Sequence, residues 1–225
     1  MQTVIDKSMP LAFRIPRTAI LLLGPTGSGK TPLGEWLETH GLWGRPCRHF
    51  DFGANLRRIA ATRAMPPHLS PDDLLVIDRV LQANALLEDE HVHIACNMLL
   101  SFIGTSAREE RTVIVLNGLP RHVGQAVAVD HLVHVRCVAF LACTAECVRD
   151  RIRADAGGDR EERQDDSPAE IGRKLDIFRE RTLPLLAHYR AQGALIEEIP
   201  VGVGTMPETI GCRLEGLVKR GVKRN

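Results

Sequence analysis

The eight residues GPTGSGKT, Gly24 to Thr31, follow an apolar run and open a helical pattern, an order that leaves few folds available. They fit G-x-x-x-x-G-K-[S/T] in the strand–loop–helix context that gives this spacing its meaning. The preceding run, Ala19 to Leu23, is apolar throughout instead of alternating, which predicts a strand covered on both faces. Glycines let successive backbone N–H groups turn inward as an anion nest, and the helix that follows adds the positive end of its dipole. Lys30 is then placed to reach β and γ phosphates, and the Thr31 hydroxyl is available to Mg²⁺. Gly24, Pro25, Thr26, Gly27, Ser28, Gly29, Lys30 and Thr31 are accordingly assigned to a nucleoside triphosphate or diphosphate.

Four further strands are readable, in RHFDF from Arg48, TVIVLNG from Thr112, RCVAFLAC from Arg136 and ALIEEIPV from Ala194. Helical patterns separate them, the signature of an α/β three-layer fold with a five-stranded parallel sheet and helices on both faces. In SPDD, Ser70 to Asp73, an N-cap serine, a proline in the first turn and a carboxylate three residues on predict a helix running towards Leu87. IACNMLLSFI reads as a second, mostly buried helix. RADAGGDREERQDDSP contains glycine, is strongly polar and lacks apolar periodicity, so an exposed loop is expected there.

A net charge of +1 gives no global electrostatic reason for nucleic-acid or membrane partners. No apolar run approaches the ~20 residues of a membrane span, and the first residues lack the apolar segment of an export signal. The six cysteines include no C-x-x-C pair and several sit in apolar runs, which predicts buried, reduced thiols in a cytoplasmic protein. Of 29 lysines and arginines, the only lysines between residues 8 and 218 are Lys30 and Lys174.

A phosphate loop alone does not separate a hydrolase, a switch and a kinase; the remaining motifs do. GANLRRIA after the second strand, NGLPRHVGQA after the third, RQDD in the polar loop and LPLLAHY near the end stand in the order and rough spacing of adenylate kinases. Over about residues 17 to 210 the chain resembles the nucleoside monophosphate kinase family. NGLPRHVGQA matches the family pattern DGFPRTxxQA at Gly118, Pro120, Arg121, Gln125 and Ala126.

The resemblance implies an ATP- and Mg²⁺-dependent P-loop kinase, acting on a nucleoside monophosphate with AMP favoured, as a monomer. It divides the chain into an extension, 1–16, and a kinase domain, 17–225, with an acceptor-binding lobe at 53–90 and a short lid at 152–167. Arg121 suits the acceptor phosphate by its rigid fork of donors, and Gln125 carries a donor and an acceptor, the complement of adenine. Arg57 falls on a second acceptor-phosphate position, Arg163 on an arginine that closes over the transferring group, and Arg151 on one beside the donor adenine. Lys174 stands where the family has another phosphate-binding arginine, keeping the charge without the bidentate geometry.

The chain departs from the family at Phe52, Ala54, Asn117, Asp155 and Lys174. At Asn117 the family has an aspartate that organises the water shell of Mg²⁺. Asparagine supplies oxygen without charge, so this chain is expected to need more Mg²⁺ or to recruit another carboxylate such as Asp51. These departures leave two alternatives open: a nucleotide-binding regulatory protein with weak transfer, or a kinase for another small acceptor. His91, His93 and Cys96 have metal-like side chains but lack a convincing fourth ligand, and Cys143 and Cys147 read as packing residues.

Overall fold

The computed structural model describes residues 16–104, 111–156, 158 and 167–217. Five strands form one sheet: β1 (Arg17–Leu23), β2 (Cys47–Asp51), β3 (Val113–Asn117), β4 (Val133–Ala142) and β5 (Leu195–Pro200). They are all parallel, in the order β2-β3-β1-β4-β5. The unbroken apolar run of β1 serves two cores at once. Ala19, Leu21 and Leu23 pack into a cluster with Phe50, Ile94, Leu116 and Tyr189, while Ile20 and Leu22 face Leu33, Leu37, Val115 and Ile210. Successive side chains of a strand point to opposite faces, so burial on both sides demands apolar residues at every position.

The second cluster holds α1 (Lys30–His40) and α9 (Pro207–Glu215) against the sheet. On the other face lie α2 (Phe52–Thr62), α3 (Pro71–Gln82), α4 (Val92–Gly104), α5 (Val123–Val129) and α8 (Leu185–Ala191). The remaining helices are α6 (Ala145–Arg153) and α7 (Pro168–Ile177), the latter followed by a π-helical turn at Phe178–Thr182.

Among the boundaries that differ from the sequence reading, three have a clear local cause. β2 ends at Asp51 because that side chain caps α2, accepting the Ala54 N–H at 2.8 Å; Phe52 is therefore helical. β4 begins at Val133, paired with Arg17, since the alternation VHV already fits a strand. The helix from Ser70 has the expected reciprocal cap, Asp73 N–H to Ser70 Oγ at 3.2 Å and Ser70 N–H to Asp73 Oδ2 at 2.8 Å, but stops at Gln82. Asn84, at φ 47°, turns the chain out of the helix before Leu87.

Cys47 and Cys137 are buried and all six cysteines are free thiols, but burial is not general: Cys212 is exposed and Cys96, Cys143 and Cys147 are half-buried. Among the described residues no helix is long and apolar enough to cross a membrane.

Candidate active site

In open parallel sheets ligands gather at the carboxyl ends of the strands. Here the ends of β1, β2 and β3 open into a cleft of about 250 Å³. Gly24, Pro25, Thr26, Gly27, Gly29, Lys30 and Thr31 line one side. Arg57, Asn117, Gly118, Arg121, Gln125 and Lys174 line the rest, so a single cleft gathers residues read from three separated motifs and the isolated Lys174. Ser28 is buried beneath the loop, its Oγ donating to Pro25 O at 2.9 Å. Arg163 lies outside the described residues, as does most of the proposed lid.

The loop geometry follows from its glycines. Gly29 sits in the left-handed region, φ 92°, as the N-cap of α1, and no side chain caps the helix. The first N–H groups of α1 are left to an anion. At Gly27, φ 73°, a Cβ would also lie 2.9 Å from Ile152 Cγ1, so only glycine fits. Lys30 Nζ donates to Gly24 O at 2.8 Å and Pro25 O at 2.7 Å, folding the ammonium over the loop. Arg151 is 4% exposed. It donates to Gly27 O at 3.0 Å, Gly202 O at 2.6 Å and Val203 O at 3.0 Å, tying α6 and the segment after β5 to the phosphate loop.

On the opposite side, Gly118 at φ 76° and a cis Leu119–Pro120 bond turn the chain away from β3. Arg121 N–H donates to Gln125 Oε1 at 2.7 Å, and Gln125 Nε2 donates to Leu87 O at 2.8 Å. These bonds fix the orientation of the Gln125 amide and leave it one hydrogen and one acceptor lone pair. The Arg121 carbonyl accepts Thr182 Oγ1 at 2.8 Å. Its guanidinium lines the cleft with no hydrogen-bond or ion-pair partner among the described residues, and burial pushes its pKa down. A half-buried cation without a counter-charge is costly, and an anion in the cleft removes that cost.

At the floor, Thr31 Oγ1 donates to Asp51 Oδ2 at 2.9 Å, and Asn117 Nδ2 reaches the same oxygen at 2.8 Å. Asn117 Nδ2 also lies 3.0 Å from Thr31 Oγ1 and 3.3 Å from His49 Nε2. Burial pushes the His49 pKa down, against the pull of Asp51. The Thr31 hydroxyl and the Asp51 carboxylate offer the hard oxygen donors that suit Mg²⁺ beside phosphates, and the Asn117 NH₂ faces that carboxylate.

The π-helical turn gives the cleft Phe178 and Thr182, and the carbonyl of Leu87 orients Gln125; no sequence signal marked either. Asp51 had one, a carboxylate where an apolar strand ends. Among the described residues no three acidic, histidine or cysteine side chains form a metal group of their own. His93 Nε2 pairs instead with Asp73 Oδ1 at 2.7 Å. Burial and then Cys147 push the Cys143 thiol up, and Cys143 packs against two core clusters, while the Cys147 thiol donates to Val201 O at 3.1 Å.

No family model matches the chain. An adenylate kinase of Synechococcus sp. (strain WH7803) is 29% identical over 203 residues, covering 87% of this chain and 96% of the relative. The adenylate kinase of Xanthomonas campestris pv. campestris (strain B100) is 28% identical over 210 residues, 85% of this chain and 94% of its own length. That of Prochlorococcus marinus (strain MIT 9303) is 29% identical over 182 residues, 78% and 86% respectively. These likenesses run nearly end to end across a parallel sheet whose cleft unites the phosphate loop with the NGLPR turn. The chain is similar to adenylate kinases over most of its length, and these likenesses indicate an ATP-dependent phosphotransferase.

Proposed function

We propose that this protein transfers the γ-phosphoryl group of ATP reversibly to a nucleoside monophosphate, with AMP the preferred acceptor. An oxygen of the acceptor α-phosphate attacks the γ-phosphorus, the bond to the β-phosphate oxygen breaks, and two nucleoside diphosphates result. The observation that carries this reading is the Arg121 guanidinium, unpartnered among the described residues in the same cleft as the phosphate loop. One cleft thus offers two anion sites, one per nucleotide.

Phosphoryl transfer needs positioning and charge neutralisation more than covalent help. Lys30 serves the β and γ phosphates once it leaves the loop carbonyls, and the N–H groups of the loop hold the donor. Arg121 and Arg57 take the acceptor phosphate, Gln125 and Gly118 its nucleoside end, while Lys174 and Arg163 neutralise the group in flight. Arg151 braces the donor side through Gly27. Thr31 and Asp51 would hold Mg²⁺, with the Asn117 amide orienting the carboxylate, and the ion would supply charge neutralisation across the phosphates. Residues 53–90 form the acceptor lobe and 152–167 the lid, whose closure excludes water and with it ATP hydrolysis. The protein acts as a cytoplasmic monomer, without nucleic-acid or membrane partners.

A screen of nucleoside monophosphates against MgATP, followed by diphosphate formation, tests the acceptor. Preference for AMP supports the role of Gln125. Nucleotide binding without turnover would return the regulatory reading, and turnover with a different small acceptor would move the site to another substrate.

A further inference from the structure

Asp51 and Asn117 are register partners on β2 and β3, each the last residue of its strand. Their side chains meet, Asn117 Nδ2 to Asp51 Oδ2 at 2.8 Å, and the same carboxylate oxygen accepts the Thr31 hydroxyl at 2.9 Å. Both residues and Thr31 line the cleft.

We infer that the carboxylate serving Mg²⁺ in this chain is Asp51, and that Asn117 is its positioning partner, so that the negative charge stands one strand away from where β3 would carry it. This rests on the kinase reading above. Three observations point the same way. Asp51 is the one carboxylate among the described residues that line the cleft. Its Oδ2 addresses the threonine that closes the phosphate loop, and its Oδ1 is held by the Ala54 N–H at 2.8 Å, so the carboxylate is fixed at both ends. The asparagine presents its NH₂ to that carboxylate, and an aspartate at 117 would instead set two carboxylates against each other. The two positions are therefore coupled: with Asp51 in place, residue 117 is better neutral and donating. A carboxylate at either strand end supplies one negative charge to the same corner of the cleft, and hard oxygen donors with one formal charge suit a cation that keeps most of its waters.

The test is ATP binding by calorimetry, with Mg²⁺ and with a chelator, in wild type, Asp51→Asn and the double exchange Asp51→Asn/Asn117→Asp. Asparagine keeps the helix cap, so Asp51→Asn is expected to fold. In Asp51→Asn, affinity with Mg²⁺ drops by about 10- to 100-fold, the usual cost of losing a carboxylate that orients a metal's ligands. Affinity in chelator stays level or rises, because a negative charge near the phosphates has gone. The double exchange restores the Mg²⁺-dependent gain. Full retention of that gain in Asp51→Asn overturns the inference while leaving the kinase reading in place. If Asp51→Asn does not fold, the double exchange decides alone: a retained gain supports interchangeable strand ends and a lost one overturns them. Wild type that binds no ATP in either condition overturns both readings.

Discussion

Asp51 and Asn117 end neighbouring parallel strands and share a 2.8 Å hydrogen bond in which the amide donates and the carboxylate accepts. This pairing explains the asparagine. It also changes what a single substitution does there.

Asn117→Asp puts two carboxylates at hydrogen-bond distance, so one of them has its pKa raised. A group with a raised folded pKa contributes stability at low pH and loses it as pH rises through that value. The variant is expected to melt below wild type at pH 7, with a gap that narrows on acidification towards pH 5 and on addition of Mg²⁺. Thermal unfolding across pH, with and without Mg²⁺, checks this; a pH-independent gap would show that the two side chains do not meet.

Arg121 has the opposite balance between stability and function. Its guanidinium is desolvated with no partner among the described residues, so Arg121→Met removes a cost from the free protein and leaves the melting temperature level or higher. The same change weakens the acceptor by about 100-fold or more through the lost bidentate contact, with ATP much less affected. Steady-state constants for both substrates, beside melting curves, separate these effects.

Gln125 is 1% exposed; of its two backbone partners Leu87 is buried and Arg121 half-buried. Gln125→Ala leaves Arg121 N–H unsatisfied at about 1–3 kcal/mol, while Leu87 O keeps its bond from His122 Nε2 at 3.0 Å, so stability falls as well as base discrimination. Gln125→Glu retains an acceptor for Arg121 N–H and loses the donor to Leu87 O. It is expected to shift preference among monophosphates while keeping the NGLPR turn in place. Unchanged preference in both variants would remove Gln125 from base recognition.

Arg151 ties three segments together through backbone carbonyls, so Arg151→Ala is expected to act on the donor side through structure. The loss of buried, charge-assisted hydrogen bonds costs about 1.5–3 kcal/mol. ATP affinity falls with it because Gly27 loses its brace. A stable variant with weakened ATP binding would point instead to direct contact with the nucleotide.

The sheet was legible because β1 is apolar at every position and because glycine spacing in GPTGSGKT has one mechanical use. The cleft was legible as far as motifs name side chains: Lys30, Arg57, Arg121, Gln125 and Lys174 come together from distant segments. Backbone contributions were not. The Leu87 carbonyl that orients Gln125 and the π-helical turn carrying Thr182 depend on packing across the sheet, which no local pattern encodes. Asp51 shows the boundary between the two. Its identity is plain in RHFDF, but its role needs the register of β2 on β3, a non-local fact. Asp51 also displaces the strand end by one residue, because an N-cap needs extended backbone and an oxygen acceptor at the same position.

The central claim, phosphoryl transfer between two nucleotides in one cleft, is tested by diphosphate formation from MgATP and AMP, in wild type and Lys30→Ala. The account predicts ADP formed in a two-to-one ratio to AMP consumed. It predicts a loss of about 100- to 1,000-fold in turnover on removing the lysine, with the melting temperature preserved. ADP formed equally fast without AMP, or turnover unchanged in Lys30→Ala, would contradict it.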